Sequence, residues 1–181
     1  MKTKIFSCFF LALVLITFSI SLPAEELKNT EDLNSRKGFF LGFGPYVGGE
    51  VNRIDQVVGG LEFRIGGGLT DRTLLFVENN GVYTHKDYLN YVAYDLQLKI
   101  QQFLYEGLYV NVGSGFSLGN ASFAGISLAT KVGFGVSSGL GYEFRVGKGF
   151  ALSPEAAFYY RRLDGLSYLV PAAILHMNWY F

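Results

Sequence analysis

The chain has little cysteine, proline or tryptophan, and it has no long apolar run beyond its first residues. Of its 181 residues, one is cysteine (Cys8), four are proline and one is tryptophan. Because Cys8 lies in a segment that we predict to be removed, the mature chain can form neither a disulfide nor a Cys-ligated metal site. No stretch after residue 24 has eighteen consecutive apolar residues, which argues against a helical membrane protein.

The N-terminus has the layout of a secretory signal peptide. Lys2 and Lys4 precede an uncharged apolar run over residues 5–20, and small residues follow it. This pattern predicts cleavage after Ser21 or Ala24. Residues 25–36 are polar and lack periodicity, so we interpret them as a flexible leader. The remaining residues, 37–181, are predicted to form a single domain.

The charge balance excludes a strongly basic nucleic-acid binder. The full chain carries 15 basic and 15 acidic side chains, and loss of Lys2 and Lys4 with the signal leaves 13 basic against 15 acidic. We therefore expect no nucleic-acid partner. All 23 glycines lie after residue 24, and 17% of the chain is aromatic. This composition favours a β-rich chain.

Apolar and polar residues alternate with a period of two from residue 37 onward, which is the signature of strands. The clearest case runs from residue 126 to 146, where Val132, Phe134 and Val136 alternate with Lys131, Gly133 and Gly135. Similar rows occur in six further segments, and residues 72–79 form an eighth. In that segment the run Leu74-Leu75-Phe76-Val77 conceals which face is which.

Chain length supports eight strands. The 145 residues from 37 to 181 divide into about 18 per strand with its connection. A bilayer-crossing strand takes about 9–11 residues, which leaves about seven for each connection. We predict an all-β fold, an eight-stranded antiparallel up-and-down transmembrane β-barrel.

The polar face indicates which side points inward. It is largely Gly, Ala and Ser, which suit the crowded interior of an eight-stranded barrel. Its charges balance, five acidic against five basic, and buried ions must be paired. We therefore predict a lumen network of ion pairs and hydrogen bonds, with the apolar rows facing lipid and aromatic girdles at the interfaces. Its predicted members are Glu50, Glu62, Arg64, Asp95, Lys99, Lys131, Glu143, Arg145, Glu155 and Arg161.

The last strand has Leu175, Met177, Trp179 and Phe181 at alternate positions. Together with the stretches at 39–49, 66–72 and 139–161, this row resembles the small outer-membrane barrels of Gram-negative-type bacteria, the OmpA-like and opacity-protein-like group of porin-family barrel domains. The resemblance implies an outer-membrane location and a periplasmic N-terminus. It also implies that the terminal row is the signal read by the barrel-assembly machinery.

The resemblance also implies membrane lipids as partners, and we expect a monomer. It places periplasmic turns near 69–72, 103–107 and 145–149. External loops fall near 49–57, 80–87, 118–125 and 162–167. These predicted external loops are short for an adhesive barrel.

The favoured function is a structural or surface role in the envelope, by a barrel whose lumen is largely plugged. A narrow porin-like channel for small solutes is the alternative, and a lipid-modifying barrel enzyme is a second one. The enzyme would need a His–Ser or His–Asp–Ser set near the outer rim. Ser167 lies near that rim but His176 is nine residues further on, so we expect no enzyme, no catalytic residues and no cofactor. His176 is expected to be a hydrogen-bonded lumen residue. His85, alone in a loop, makes no metal site.

Prolines fit the pattern least well. Pro45, Pro154 and Pro171 fall inside predicted strands, where proline removes a ladder donor. Because the strands containing Pro45 and Pro171 would meet at barrel closure, we predict a bulge at that seam.

Overall fold

The fold is described from a computed structural model. The structure describes residues 35–51, 53–86, 89–123 and 126–181. The predicted signal peptide and most of the predicted leader lie outside the described residues. No helix in the described part of the chain is long and apolar enough to cross a membrane.

The described residues form nine antiparallel strands. They are β1 (Gly38–Glu50), β2 (Arg53–Thr70), β3 (Thr73–Lys86), β4 (Leu89–Tyr105), β5 (Leu108–Phe123), β6 (Ile126–Tyr142), β7 (Phe144–Gly147), β8 (Phe150–Leu163) and β9 (Leu166–Tyr180). β6 and β7 both pair with β8, in one register across the break at Glu143. They therefore occupy one strand position, and β1 closes the sheet by pairing with both β2 and β9. The predicted eight-stranded up-and-down barrel is confirmed.

The connections are shorter than predicted. Only two residues separate each strand from the next in the barrel, and seven strands have 14 to 18 residues. The segments predicted as external loops, 49–57, 80–87, 118–125 and 162–167, are therefore mostly strand. The sequence Asn79-Asn80-Gly81 shows how the prediction failed. It is typical of a turn, but its residues continue the ladder between β2 and β4.

The barrel has two ends, which we name by their connections. The proximal end carries the start of β1, the end of β9 and the turns at 71–72, 106–107 and 148–149. The distal end carries the connections at 51–52, 87–88, 124–125 and 164–165. The predicted periplasmic turns coincide with the three proximal ones.

Burial confirms the predicted facing of the strands. Polar residues such as Glu62, Arg64 and Asp95 are fully buried in the lumen, whereas the apolar rows that alternate with them are exposed on the outer face. The structure also resolves β3. Leu74 and Phe76 point inward and are buried, and Leu75 and Val77 point outward. The four apolar residues thus serve two environments, which period-two reasoning cannot separate when both faces are apolar.

The predicted bulge at the β1–β9 seam is wrong. The ladder is interrupted between Phe43↔Met177 and Tyr46↔Ile174, next to Pro45, but the register is the same on both sides. The gap accommodates the missing proline donor without an extra residue. Pairing of these strands ends at Gly48↔Ala172, one position before Pro171.

The lumen contains two apolar layers with polar side chains between them. The distal layer groups Tyr46, Val58, Val82, Ala93, Ala157, Tyr159, Val170, Ala172 and Ile174. The proximal layer groups Phe40, Leu74, Phe76, Phe103, Tyr109, Ala151 and Tyr180. These layers were not predicted from the sequence, because the inward face was interpreted as small and charged throughout.

Candidate functional site

Arg64 is the centre of the buried ionic layer. It projects inward from β2 directly opposite Glu78 of β3 in the ladder. Its Nε lies 2.9 Å from Glu78 Oε2, and its Nη2 lies 3.2 Å from Glu155 Oε2 and 3.5 Å from Glu62 Oε2. Lys99 of β4 adds a second cation, with Nζ 2.7 Å from Glu78 Oε1. Four strands therefore converge on a fully buried cluster of two cations and three carboxylates.

Neutral donors complete the coordination of these carboxylates. The Tyr109 hydroxyl donates to Glu155 Oε2 at 2.9 Å, and Asn80 Nδ2 donates to Glu62 Oε1 at 3.0 Å. The Tyr159 hydroxyl also donates to Glu62. The Tyr46 hydroxyl then donates to Asn80 Oδ1 at 2.9 Å, so the network continues into the distal layer. A buried carboxylate is tolerable only with such partners, because its desolvation costs several kcal/mol or more.

A second buried pair lies on the distal side of this cluster. Arg161 of β8 contacts Asp95 of β4, with Nε and Nη2 at 2.6 and 2.5 Å from Oδ2. The Ser117 hydroxyl donates to Asp95 Oδ1. The guanidinium also lies 5.4 Å from the Tyr159 ring centroid, within cation–π range. The pair links opposite parts of the wall and fills the lumen between β4 and β8.

A third ionic group lies near the proximal end, around Glu143. Arg145 Nε and Arg36 Nε each lie 2.9 Å from Glu143 Oε1, and the Tyr180 hydroxyl donates to Glu143 Oε2. Glu143 interrupts the strand between β6 and β7, and its side chain is fully buried. Three groups from distant parts of the chain thus share one carboxyl group.

His176 of β9 lies fully buried beside the central cluster. Its Nε2 is 3.2 Å from Glu155 Oε2, and its Nδ1 is 3.8 Å from Glu62 Oε2. Ser167, on the same strand, faces outward, where its hydroxyl lies 3.0 Å from that of Tyr160. The His–Ser set that a lipid-modifying enzyme would need therefore has its two members on opposite faces of the wall. His85 lies near the distal end of β3, outside the described side chains.

Glycines on the inner face make room for the long polar side chains. A Cβ at Gly139 would lie 2.2 Å from Glu155 Oε1, and a Cβ at Gly113 would lie 2.2 Å from Lys99 Cγ. Real Cβ atoms do not approach other atoms so closely. The inward glycines are thus part of the site, because they define the space in which the ion pairs form.

The structure brings together most of the side chains predicted for the lumen network, but not all. Glu62, Arg64, Lys99 and Glu155 meet in the centre, and Asp95 and Arg161 pair beside them. Glu143 and Arg145 meet at the proximal end.

Two predicted members lie apart from these groups, and the terminal row lies outside the lumen. Lys131 is half-exposed near the distal end, where its Nζ lies 3.0 Å from Asp164 Oδ2. Glu50, at the distal end of β1, is only partly buried. Leu175, Met177, Trp179 and Phe181 lie on the outer face of β9 or just after it. Their role as an assembly signal stays a prediction.

Several members of the network were not predicted from the sequence. Glu78 was hidden by the ambiguous facing of its strand. Tyr109 and Tyr159 share the parity of Asn111 and Glu155, so strict counting along β5 and β8 would have found them. Arg36 could not have been found in this way, because it precedes β1 and has no strand periodicity.

These ionic side chains occupy the lumen of the described barrel. The three groups together contain five cations and five carboxylates, and the central cluster lies between the two apolar layers. Among the described residues, no group of three His, Cys, Asp or Glu side chains could hold a metal ion. Two clefts lie at the proximal surface beside Arg36, with volumes of about 310 and 320 Å³.

Solved structures of small outer-membrane barrels have the same fold. The chain is similar to Neisserial surface protein A (TM-score 0.60, 13% identity, 79% of this chain and 97% of that chain). It is also similar to Ail, the attachment invasion locus protein of Yersinia pestis (TM-score 0.56, 14% identity, 79% and 96%). A third is the N-terminal β-barrel domain of OprF from Pseudomonas aeruginosa (TM-score 0.53, 15% identity, 77% and 97%). No family model matches the chain, and no curated protein sequence matches it.

The fold therefore defines the class. The chain has the architecture of the small eight-stranded outer-membrane barrels, and the described barrel accounts for nearly the whole length of each of these solved chains. At 13 to 15% identity the likeness establishes the fold alone.

Proposed function

We propose that the protein is a monomeric integral outer-membrane barrel with a plugged lumen and a structural or surface role in the bacterial envelope. The observation that carries this proposal is the lumen itself. An ionic layer fills its centre, and its largest fully buried side chains, Arg64, Tyr109 and Tyr159, lie within that layer or beside it. A solute crossing the barrel would have to displace all three and separate buried ion pairs.

The outer face supports the membrane location. Large apolar side chains point away from the lumen on every long strand, including Leu98, Phe116 and Val132 with exposures of 57%, 73% and 64%. Exposed apolar surface of this extent is costly in water and favourable in hydrocarbon. A closed barrel also satisfies its backbone hydrogen bonds internally, as a bilayer requires. In the proposed orientation the proximal end faces the periplasm.

The short distal connections bear on the kind of surface role. Each spans two residues between strands, so the described part of the distal end consists mainly of strand ends. The surface available to a partner on that side is small. This favours a structural contribution to the envelope over the capture of a large ligand.

Single-channel recording in planar bilayers tests the plug. The refolded protein is expected to give no discrete openings, and vesicle flotation verifies its insertion. A variant that combines Arg64→Ala, Tyr109→Ala and Tyr159→Ala removes the three largest plug side chains and is expected to conduct after insertion. Reproducible openings of the wild-type protein would contradict the proposal and favour the narrow channel.

We propose no catalytic role for His176. Its ring is packed between Glu155 and Glu62 and is separated by the barrel wall from Ser167. The test is hydrolysis of phospholipid or lipid A by the refolded protein. Turnover that disappears in His176→Ala would overturn this part of the proposal.

We also propose that the barrel-assembly machinery inserts the protein by reading the terminal row. Phe181 is 64% exposed on the outer side, where another protein can contact it. Phe181→Ala is expected to reduce the amount of folded protein in the outer membrane of cells, while Phe144→Ala, an exposed phenylalanine on β7, leaves it unchanged. Equal insertion of both variants would contradict this role.

Mass determination of the detergent-solubilised protein tests the proposal that it is a monomer.

A further inference from the structure

The segment just before β1 is held against the proximal end of the barrel. We call Ser35, Arg36 and Lys37 the 35–37 strap. The Ser35 hydroxyl donates to Asp71 Oδ1 at 2.8 Å, the Arg36 backbone amide donates to the same oxygen at 3.4 Å, and Lys37 Nζ lies 3.3 Å from Asp71 Oδ2. One turn carboxylate at the proximal end therefore holds all three residues of the strap.

From this anchor the Arg36 side chain reaches across the proximal mouth. Its Nη1 donates to the Asp71 carbonyl and its Nη2 to the Glu106 carbonyl, both at 3.1 Å. Its Nε reaches Glu143 at 2.9 Å. The side chain thus connects the 71–72 turn, the 106–107 turn and the break between β6 and β7. It is only 13% exposed.

The same guanidinium covers the proximal apolar layer. Its Cζ lies 3.6 Å from the centroid of the Phe103 ring, which belongs to that layer. Arg145 lies on the other side, 4.1 Å from the Tyr180 ring centroid. Arg36 and Arg145 thus sit over the two aromatic rings while they share Glu143 beneath them.

The barrel wall is shaped to receive the strap. A Cβ at Gly68 would lie 1.7 Å from the Arg36 carbonyl oxygen and 3.0 Å from the Lys37 Cα. No other residue could occupy position 68 without moving the strap backbone. The packing against Gly68 does not depend on charge, and so it supports the same arrangement independently of the ion pairs.

We infer that the 35–37 strap is a latch that closes the proximal mouth of the barrel. The Arg36 side chain holds it closed by its contacts with the Phe103 ring and Glu143. The latch goes beyond the plugged lumen, because it governs access from one end to the proximal layer and leaves the central ion pairs in place. Its release would uncover the Phe103 ring and join the two clefts beside Arg36 into one opening towards the proximal layer.

Cysteine accessibility tests the latch. In a Cys8→Ser background the only thiol is the one introduced, so Ala151→Cys reports on the proximal layer and Ala157→Cys on the distal layer. The folded protein in detergent is reacted with a small water-soluble methanethiosulfonate. Arg36→Ala is expected to accelerate labelling of Ala151→Cys by at least about tenfold, because charge-assisted hydrogen bonds hold the closed form. Labelling of Ala157→Cys should not change.

Two further variants sharpen the test. Gly68→Ala should also accelerate labelling at Ala151→Cys, because it displaces the strap without altering any charge. Arg72→Ala removes a basic side chain from the 71–72 turn, next to Asp71, and should leave the rate unchanged. An unchanged rate in both Arg36→Ala and Gly68→Ala would overturn the latch. So would equal acceleration at Ala151→Cys and Ala157→Cys, which would indicate general loosening. The conductance of the wild-type protein tests the plug separately.

Discussion

The two faces of the barrel wall differ in how strongly each position depends on its neighbours. On the inner face, Arg64 touches three carboxylates from three strands. On the outer face, Leu98 projects next to its ladder partners Val77 and Ser114 and is 57% exposed. The inner residue is determined by a particular set of partners, whereas the outer one needs only to be apolar. Substitutions should therefore act by different mechanisms on the two faces.

The largest effect is expected inside the lumen. Arg64→Ala removes the cation shared by Glu62, Glu78 and Glu155 and leaves buried charge without sufficient compensation. We expect a loss of about 3–5 kcal/mol in the free energy of unfolding. Urea unfolding in lipid vesicles measures it, with the fluorescence of Trp179, the only tryptophan, as the probe. The control is Arg72→Ala in an exposed turn, and equal stability of the two variants would contradict the central role of Arg64.

The outer face should respond to charge according to depth. Leu98 lies between Gln97 and Lys99, which are both buried in the lumen. Leu98→Arg is therefore expected to cost about 2–4 kcal/mol in a bilayer. Val146, near the proximal turn of β7, should tolerate the same change at a cost of about 0–1 kcal/mol. Equal costs at the two positions in the same vesicle assay would show that Leu98 does not face hydrocarbon.

A smaller effect is expected where glycine makes room for the network. Gly139→Ala would place a methyl group 2.2 Å from Glu155 Oε1, and overpacking of this kind costs about 1–3 kcal/mol. At Gly59 the nearest atom to an added Cβ is 4.0 Å away, so Gly59→Ala is the matched control. If both variants unfold at the same urea concentration, the inner glycines are not required by packing.

The smallest effect concerns the strap at the proximal surface. The hydrogen bond from the Ser35 hydroxyl lowers the pKa of the exposed Asp71 carboxyl below its ordinary value, and Lys37 lowers this pKa further. A lowered pKa in the folded state means that the contribution of Asp71 to stability is present above the unfolded-state pKa. It is lost as pH falls through the folded-state pKa. An NMR titration should show the lowered pKa, and Ser35→Ala should move it back towards its ordinary value. An unchanged pKa in Ser35→Ala would contradict the Ser35–Asp71 contact.

Much of the architecture was predictable because successive side chains of each strand point alternately into the lumen and to the exterior. Residues 130–146 illustrate this, since every alternate residue there has the predicted facing. The prediction was ambiguous at Leu74–Val77, where an apolar layer of the lumen lies opposite the apolar exterior. It was wrong for the connections, because Asn79-Asn80-Gly81 has turn residues but is held in the ladder by β2 and β4.

The sequence by itself determined the number of strands, the face of most side chains and the residue types that fill the lumen, because these follow from local alternation and charge. Only the tertiary structure decided which charge meets which. Closure of the barrel brings Glu155 of β8 to Arg64 of β2 across 91 positions, and it brings Arg36 to Glu143 across 107. Such pairings depend on strand register and side-chain reach in three dimensions, and no periodicity along the chain encodes them.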